Sequence, residues 1–484
     1  MKRKTTIIFT AAILACGFIF TSCKSEAEKN KCEITISFDG EEVSGTCVYD
    51  FYDEEFLTSD KPDREESAIY PRSLEFFLPA NAYKKDAKNP PADKSDSFAY
   101  PNGFSEGSIK INSVKVNGET ADNALIDEDL TTLCVSMKNY SPQKTTVEID
   151  FTTVVPDSLL RLGKNGDKVN LGDFYPLVSV KEEKGYYKST YSKFGDPYYT
   201  DLFDYKVSIT LPSEYVVASS GTPTSTVVDG FKTTYSYAAE NCRHFAFVLG
   251  KNFIVDEKKT ENGLIALYAD KKEQETLDLI ADVIKYFSET FGPYPYETFS
   301  VAITGFKEGG MEYTGLCFIS DALSDEQKKL AIAHETAHEW WYSAVGNDQI
   351  ASAYLDEGLC EYSTYLYFSA RGDQQTADRI ISSAKSAYKS FYDLSSVLSG
   401  KADTSMNRPL GKFSSDYEYV NVAYNKSLLA FYEYEKATGR NKTIKGLKKY
   451  YEKNKFAFAT LDLLTDSLGL KDFFKSYVEG SVLI

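Results

Sequence analysis

Two of the three histidines in this 484-residue chain lie in one five-residue run, His334 to His338, which reads His-Glu-Thr-Ala-His. The run follows an apolar segment with helical spacing, and residues four apart lie on the same face of a helix. Two imidazoles at this spacing can occupy two positions of a tetrahedral zinc ion, with Glu335 beside them facing the open position. The run therefore predicts a metal centre with one Zn²⁺ per chain.

A catalytic zinc ion needs a third protein ligand and a free position for water. No third histidine follows His338, so a carboxylate must serve. Glu357 lies nineteen positions beyond His338, near the start of the next predicted helix. We therefore predict that His334, His338 and Glu357 are the metal ligands.

The extended motif is similar to that of the zinc aminopeptidases related to aminopeptidase N, the gluzincin class. In both, His-Glu-x-x-His is followed after eighteen residues by a glutamate within an Asp-Glu-Gly segment. The resemblance implies that Glu335 is the general base of peptide hydrolysis. Glu361, one turn after Glu357 on the same face, either orients a ligand histidine or is a solvent-facing helix residue.

Residues 309–313 read Gly-Gly-Met-Glu-Tyr and resemble the Gly-x-Met-Glu-Asn strand of this family. The resemblance implies that Gly309, Gly310, Met311 and Glu312 bind substrate, with Glu312 pairing with the free α-amino group. A cationic amine in a dry cleft requires a fixed carboxylate, and neighbouring glycines let the substrate backbone approach closely.

Tyr424 begins a Tyr-Asn-Lys-Ser segment that resembles the family's Tyr-x-Lys-Gly. The resemblance implies that Tyr424 is catalytic, because the family's tyrosine hydroxyl stabilises the tetrahedral oxyanion. Two departures qualify the match: Tyr313 replaces the family's Asn, and no second amine-binding Glu or Gln can be located in the N-terminal half. We thus expect an aminopeptidase acting on peptides with a free N-terminus. Two alternatives stay open, an endopeptidase on the same zinc site and a non-catalytic surface lipoprotein that binds peptides or a partner.

The pattern of the chain changes about halfway along. Short alternating runs separated by turn sequences predict an all-β region from about residue 31 to 255, and helical spacing begins after about Asp270. The expected fold class is α+β multidomain, with an N-terminal all-β saddle or sandwich domain at residues 23–257. A mainly α catalytic domain follows at residues 258–484, and the resemblance identifies it as thermolysin-like. Helices are predicted over Leu323–Val345, Asp356–Arg371, Thr376–Leu398 and Val422–Thr438, with a last pair from Lys442 to the end.

The first residues have the layout of a secretion signal. A basic start is followed by an uncharged apolar run from Thr5 to Phe20, which is too short for a stable membrane span. The following Thr-Ser-Cys resembles the bacterial lipoprotein processing site, which predicts a signal peptide at residues 1–22 and lipidation of Cys23. The alternatives are an ordinary secretory signal and an uncleaved anchor. We expect an exported bacterial lipoprotein, anchored to a membrane by its lipid, in the periplasm or at the cell surface.

Composition excludes one class of partner. With 54 basic and 71 acidic residues the net charge is −17, the wrong sign for a protein that binds nucleic acid. Cys32 and Cys47 flank a predicted hairpin, where they form either a disulfide or two buried thiols. His244, the third histidine, belongs to no ligand spacing and is expected to be structural.

Overall fold

The computed structural model describes residues 28–52, 70, 72–182, 185–187 and 189–482. The predicted signal peptide and Cys23 lie outside these residues, so lipidation stays a prediction. Within the described ranges, no helix has the length and apolar character needed to cross a membrane.

The N-terminal region consists of β-sheets that share one apolar core, as predicted for an all-β sandwich. In β1, every second residue is buried, which is the pattern of a strand with one face on a core. Tyr49 of the largest sheet packs against Phe76 of a smaller sheet with ring centroids 5.5 Å apart. The strands are β1 (Lys31–Phe38), β2 (Glu42–Phe51), β3 (Ser73–Phe77), β4 (Ser108–Val116), β5 (Glu119–Thr120), β6 (Asn123–Leu125), β7 (Thr132–Ser136), β8 (Thr145–Val154), β9 (Leu162–Asn165), β10 (Lys168–Leu171), β11 (Leu177–Val178), β12 (Lys181–Glu182), β13 (Gly185–Tyr186), β14 (Phe203–Pro212), β15 (Val216–Ser219), β16 (Thr222–Asp229), β17 (Lys232–Cys242) and β18 (Phe247–Gly250).

Among the described residues, the largest sheet has eight strands in the order β16-β17-β14-β1-β2-β8-β4-β5. Two four-stranded sheets, β15-β18-β10-β9 and β11-β3-β7-β6, complete the sandwich, and β12 pairs with β13. In the register of β1 and β2, Cys32 lies opposite Tyr49 and Cys47 lies opposite Ile34. Both cysteines are buried and free, which corresponds to the second of the two predicted states.

The second region combines a five-stranded sheet, in the order β19-β20-β21-β23-β22, with helices. The predicted domain boundary after residue 257 falls inside β19, which pairs with β20 along its whole length and so belongs to this second region. The strands are β19 (Ile254–Thr260), β20 (Gly263–Ala269), β21 (Thr298–Thr304), β22 (Gly310–Tyr313), β23 (Leu316–Ser320), β24 (Val345–Gly346) and β25 (Ala457–Phe458). The helices are α1 (Gln274–Phe291), α2 (Asp325–Ala337), α3 (Gln349–Ser352), α4 (Tyr354–Ala370), α5 (Gln374–Ser399), α6 (Asp416–Tyr419), α7 (Lys426–Thr438), α8 (Arg440–Asn454), α9 (Leu461–Leu468) and α10 (Lys471–Glu479), with 3₁₀ turns at Pro79–Tyr83 and Leu410–Lys412.

The single helix predicted over Leu323–Val345 is interrupted. Helix α2 begins at a capping box, in which the Ser324 hydroxyl accepts from the Gln327 backbone N–H and the Gln327 side chain accepts from the Ser324 N–H. After His338 the chain forms a kinked π-type segment, Glu339–Ala344, whose backbone is not helical at Trp341 and Tyr342. This segment turns both tryptophans of the chain into the core, where Trp340 contacts Phe287 and Trp341 contacts Phe291 of α1. Helix α2 therefore ends next to His338, at the point where both histidines face helix α4.

Candidate metal centre

The three predicted ligands meet between α2 and α4. His334 Nε2 lies 3.2 Å from His338 Nε2 and 3.1 Å from Glu357 Oε2, and His338 Nε2 lies 3.5 Å from the same oxygen. Tetrahedral zinc with bonds of about 2.0–2.1 Å separates its ligands by about 3.3 Å, so these three distances match the edges of one coordination tetrahedron. All three residues are buried. The donor set thus fits a zinc ion with one position left for another ligand.

The outer nitrogens of the two histidines also have acceptors nearby. His334 Nδ1 lies 3.1 Å from Glu361 Oε1, and His338 Nδ1 lies 3.3 Å from the Trp341 carbonyl oxygen. A histidine that binds a metal through Nε2 carries its proton on Nδ1, and an acceptor there fixes the ring orientation. The structure places the Glu361 carboxylate within ion-pair distance of His334 Nδ1 but without a hydrogen bond to it, so both alternatives for Glu361 stay predictions.

Glu335 is buried beside the ligands and faces strand β22. Burial raises the pKa of Glu335 to about 8, against the opposing charge of His334. Gly310 lies so close that a Cβ atom there would be 2.3 Å from Glu335 Oε1. The glycine therefore makes room for the predicted base, a role in addition to the predicted contact with substrate.

Strand β22 divides the residues predicted to bind substrate between two sides. Gly310 and Glu312 line the cleft, together with Gly309 just before the strand. Met311 and Tyr313 point to the other side, since side chains alternate along a strand. Met311 is buried and its sulfur accepts a hydrogen bond from Arg161 Nε over 3.1 Å. The Met311 side chain thus anchors the strand from behind, and the predicted substrate contact of Met311 stays a prediction for its backbone.

Glu312 is held by a network that the sequence did not reveal. Gln349 donates from Nε2 to Glu312 Oε1 over 2.8 Å and to Asp356 Oδ2 over 2.9 Å, and Asn347 donates to the other oxygen of Asp356. Carboxylate oxygens of Glu312 and Glu335 and a nitrogen of His338 lie within 4.8 Å of one another. Glu312 thus presents a fixed negative charge next to the metal centre.

Tyr424 lies in a second π-helical segment, Val420–Asn425, directly before α7. Its hydroxyl donates to Glu357 Oε1 over 2.6 Å, and its ring stacks on His334 with centroids 5.9 Å apart. Burial and the charge of Glu357 raise its pKa well above the usual range of a tyrosine, so the hydroxyl keeps its proton. Tyr424 is therefore a hydrogen-bond donor at the edge of the metal centre.

The N-terminal region contributes a carboxylate that the sequence analysis missed. Asp196 lines the cleft, and its partner is the guanidinium group of Arg161. Burial and the charge of Glu312 raise the pKa of Asp196 to about 7. The residue lies in an irregular stretch between β13 and β14, where neither periodicity nor a motif marks it.

These groups share a cleft of about 620 Å³ between the two regions. Its lining, among the described residues, includes seven carboxylates and four cationic side chains. The carboxylates are Asp196, Glu308, Glu312, Glu335, Glu357, Glu361 and Asp416, and the cations are Arg161, Lys193, Lys307 and Arg379. This excess of negative charge favours a metal cation and a protonated amine.

Comparison with known proteins agrees with this geometry. The peptidase family M1 domain matches residues 275–476. Aminopeptidase N of Lactobacillus helveticus is 23% identical over 83% of this chain and 49% of its own length. Puromycin-sensitive aminopeptidase of Caenorhabditis elegans is 26% identical over 50% of this chain and 28% of its own length. The chain thus spans about half of the length of the first relative, and less of the second.

The fold as a whole matches the M1 zinc metallopeptidase of Deinococcus radiodurans, with a TM-score of 0.60, 15% identity, and coverage of 94% of this chain and 96% of the other. A mutant of that enzyme bound to a Tyr-Ser-Ala substrate matches with a TM-score of 0.61 and 14% identity, over 94% of this chain and 96% of the other. The predicted α+β two-domain fold is thereby confirmed. Zinc is the cofactor that these relatives imply, and the donor set at α2 and α4 fits it. Residues 275–476 thus match the peptidase family M1 domain, and the chain is similar to the gluzincin aminopeptidases related to aminopeptidase N.

Proposed function

We propose that the protein is a zinc aminopeptidase that removes the N-terminal residue from peptides. The observation that carries the proposal is the fixed carboxylate of Glu312 next to Glu335 and His338. A carboxylate at this place can hold the protonated amino end of a peptide beside the reacting bond. The Deinococcus radiodurans structure of the same fold binds a tripeptide substrate, Tyr-Ser-Ala, which supports a peptide as ligand.

The residues around the zinc site have distinct chemical tasks. When bound, zinc supplies a Lewis acid that polarises the scissile carbonyl and acidifies water. Glu335 accepts the proton of the attacking water and returns it to the leaving amine. The Tyr424 hydroxyl donates a hydrogen bond to the oxygen that becomes negative in the transition state. This hydrogen bond strengthens as the charge develops. Glu312 fixes the amino terminus, so that cleavage falls one residue in.

The endopeptidase alternative uses the same zinc site but needs no amine anchor. Asp196, a second carboxylate from the N-terminal region, faces the same cleft as Glu312, but Arg161 pairs with it and balances its charge. Glu312 is thus the carboxylate that favours an aminopeptidase over an endopeptidase. Cleavage of a free peptide should therefore be lost when its amino group is acetylated. Equal cleavage of both peptides would favour the endopeptidase, and cleavage of neither would favour a non-catalytic binding protein.

The variant Glu335→Gln tests the proposed chemistry directly. It keeps the shape of the side chain and removes its basicity, so turnover of amino-acid p-nitroanilides should fall by about 10²–10⁴-fold. Zinc content, measured by atomic emission, should stay at one ion per chain, because Glu335 is not among the predicted ligands. Full activity in this variant would rule out Glu335 as the base.

We also propose that the enzyme acts outside the cytoplasm as a lipoprotein anchored through Cys23. The support is the sequence alone, a basic start, an uncharged apolar run and the Thr-Ser-Cys site. Peptides near the membrane surface would then be its substrates. Replacement of Cys23 by Ser should abolish palmitate labelling and release the protein from the membrane fraction; continued labelling would refute this anchor.

A further inference from the structure

Helix α5 carries an apolar stripe that the metal centre does not use. Its members recur at alternating intervals of four and three residues, which keeps them on one helix face. They are Ile380, Ala384, Ala387, Phe391, Leu394 and Leu398. The stripe starts inside the cleft, which Ile380 and Ala384 line, and ends in solvent.

The solvent-facing end of the stripe is a cluster of large exposed side chains. Leu394, Val397 and Leu398 are 50%, 82% and 75% exposed. We name these three residues the distal patch. Apolar side chains exposed singly are common on protein surfaces, but a contiguous group marks a binding surface more often.

A second apolar wall joins the distal patch to the cleft. Val420 lines the cleft and is 44% exposed, and Tyr417, one turn earlier, is 46% exposed. The ring of Tyr417 lies 5.8 Å from that of Phe391, in the middle of the stripe. The nearby charged residues Lys389 and Asp393 form an ion pair with each other. Ala384 and Phe391 in the middle of the stripe are buried, so the exposed apolar surface between the cleft and the distal patch passes over Val420 and Tyr417.

We propose that the distal patch binds apolar side chains in the downstream part of long peptide substrates. This inference rests on the proposed function, because it assumes that the cleft binds a peptide. The substrate is the occupant because α5 forms both the wall of the cleft and the patch, so a chain leaving the cleft along this wall meets the patch next. Burial of such side chains against leucine and valine stabilises the complex and lowers KM.

The length of α5 defines which substrate residues reach the patch. Leu394 lies ten positions after Ala384 and Leu398 lies fourteen positions after it. These intervals correspond to about 15 and 21 Å along the helix axis. An extended peptide covers about 3.3 Å per residue. The patch therefore lies about five to six residues beyond the part of the substrate that the cleft holds, and short peptides do not reach it.

Three substrates test this with the full-length protein. Two peptides of about twelve residues share their first five residues and carry either Leu or Ser at about positions six to nine, a range that follows from the reach of α5. The third substrate is an amino-acid p-nitroanilide. The wild type should hydrolyse the Leu peptide with a KM about tenfold lower than that of the Ser peptide, and with the same kcat.

The variant with Leu394→Ser, Val397→Ser and Leu398→Ser should raise KM of the Leu peptide to that of the Ser peptide and leave the anilide unchanged. A matched control carries Val227→Ser, Val228→Ser and Phe231→Ser at the tip of the β16–β17 hairpin, where the three side chains are 58%, 68% and 94% exposed. This control should keep the full preference for the Leu peptide, because these residues lie on the β16–β17 hairpin and not on α5, the helix that forms a wall of the cleft.

Several results would overturn the inference. These are a wild type without preference between the two peptides, a preference that survives in the distal variant, and an equal loss for all three substrates. A change from dimer to monomer in sedimentation of the distal variant would assign the patch to a second copy of the chain instead. Failure of the proposed function gives a different result: the wild type would not hydrolyse the anilide, whereas fluorescence anisotropy could still measure weaker binding of the labelled Leu peptide to the distal variant.

Discussion

Two buried clusters of this protein use the same residue types, and only one of them can hold a metal. The zinc cluster comprises His334, His338, Glu357, Glu335 and Tyr424. The tyrosine cluster lies behind strand β22 and comprises Asp173, Tyr83, Tyr191, Tyr198 and His244. Both combine histidine, carboxylate and tyrosine in the interior. The difference lies in whether lone pairs meet protons or meet other lone pairs.

In the tyrosine cluster every donor has an acceptor. Asp173 accepts hydrogen bonds from the hydroxyls of Tyr83 over 2.9 Å, of Tyr191 over 2.8 Å and of Tyr198. His244 Nε2 lies 2.7 Å from the Gly172 carbonyl oxygen, which can only accept. The donors of the cluster are thus all paired without an ion, and the buried Nδ1 of His244 is a lone pair without a partner among the described residues.

In the zinc cluster three acceptors converge within 3.1–3.5 Å of one another. With the protons of both histidines on Nδ1, where acceptor oxygens lie, the two Nε2 lone pairs face the Glu357 oxygen, and a cation between the three atoms removes their repulsion. The cluster also opens to the cleft, whereas Asp173 is fully buried. The comparison teaches that residue type selects the candidates for a metal site, and the direction of their lone pairs decides between a metal site and a structural network.

Removal of the central acceptor of the tyrosine cluster should have the largest effect on stability. Asp173→Ala removes the shared acceptor of three buried hydroxyl groups, of which only Tyr83 and Tyr191 can still pair with each other over 3.4 Å, and this should lower the free energy of unfolding by about 3–5 kcal/mol. Thermal denaturation followed by circular dichroism measures it. The folded fraction should still bind one zinc ion per chain. Tyr83→Phe, which removes one donor, should lose much less, and equal losses in both variants would contradict the central role of Asp173.

The corresponding change in the zinc cluster should affect activity and spare stability. Tyr424→Phe removes the hydroxyl that donates to Glu357 and, by our proposal, to the oxyanion, so kcat should fall by about 10²–10³-fold. Tyr419→Phe is the matched control, because its ring lies 5.5 Å from that of Tyr424 and it lines the same cleft. It should change kcat by less than about threefold, as expected for a residue without contact to the reacting atoms. Similar losses in both variants would assign the effect to packing.

Two adjacent glycines test whether Gly310 is needed because it leaves space for Glu335 or because glycine makes the backbone flexible. A Cβ at Gly310 would lie 2.3 Å from Glu335 Oε1, whereas a Cβ at Gly309 would have no atom within 4 Å. Gly310→Ala should displace Glu335 and lower kcat by about 10- to 100-fold, since small misplacements of a catalytic group slow reactions by this order. Gly309→Ala should retain near-normal kcat. Steady-state kinetics on a p-nitroanilide compares them, and an unchanged Gly310→Ala would show that Glu335 has room to move.

The sequence predicted the zinc cluster far better than the surroundings that hold it. His334 and His338 follow from spacing along one helix, because local periodicity determines which residues share a helix face, and Glu357 follows from the resemblance to the family motif. Gln349, which holds Glu312, lies in the short helix α3. Asp196 lies in an irregular stretch of the chain. No local sequence pattern marks a residue in either place. Their positions depend on contacts between distant segments.

The same limit explains what was missed in the fold. The helix predicted over Leu323–Val345 ends at Ala337 because two tryptophans pack against α1 in the core. Sequence periodicity does not reveal such a tertiary contact. Tyr313 departs from the family's Asn, and its ring lies 4.8 Å from that of His244, in the core shared with the N-terminal region. This contact joins two distant segments of the chain, so the reason for the departure is visible only in the folded structure. The alternation of side chains along β22 places Met311 and Glu312 on opposite faces of the strand, and the sequence alone could have predicted this.

The smallest expected effect concerns His244 and the pH dependence of stability. Burial lowers the pKa of His244 to about 3, although the Gly172 carbonyl opposes the shift. The Gly172 carbonyl requires the proton on Nε2, so protonation would place a second donor on Nδ1, which has no partner among the described residues. Between pH 6.5 and 3 the unfolded chain binds a proton that the folded chain does not, so the wild type loses stability as the pH falls.

His244→Gln keeps an N–H for Gly172 and removes the titrating ring. At neutral pH the variant should be less stable than the wild type, and the gap should narrow by about 1 kcal/mol between about pH 6.5 and 5.5. Thermal denaturation of both proteins with excess zinc measures the gap, because the carboxylates titrate alike in the two and cancel. Zinc content should not change, in contrast to any substitution of His334 or His338. A gap independent of pH would mean that the folded protein accepts the proton on His244, and the Nδ1 lone pair of His244 would then not be buried without a partner.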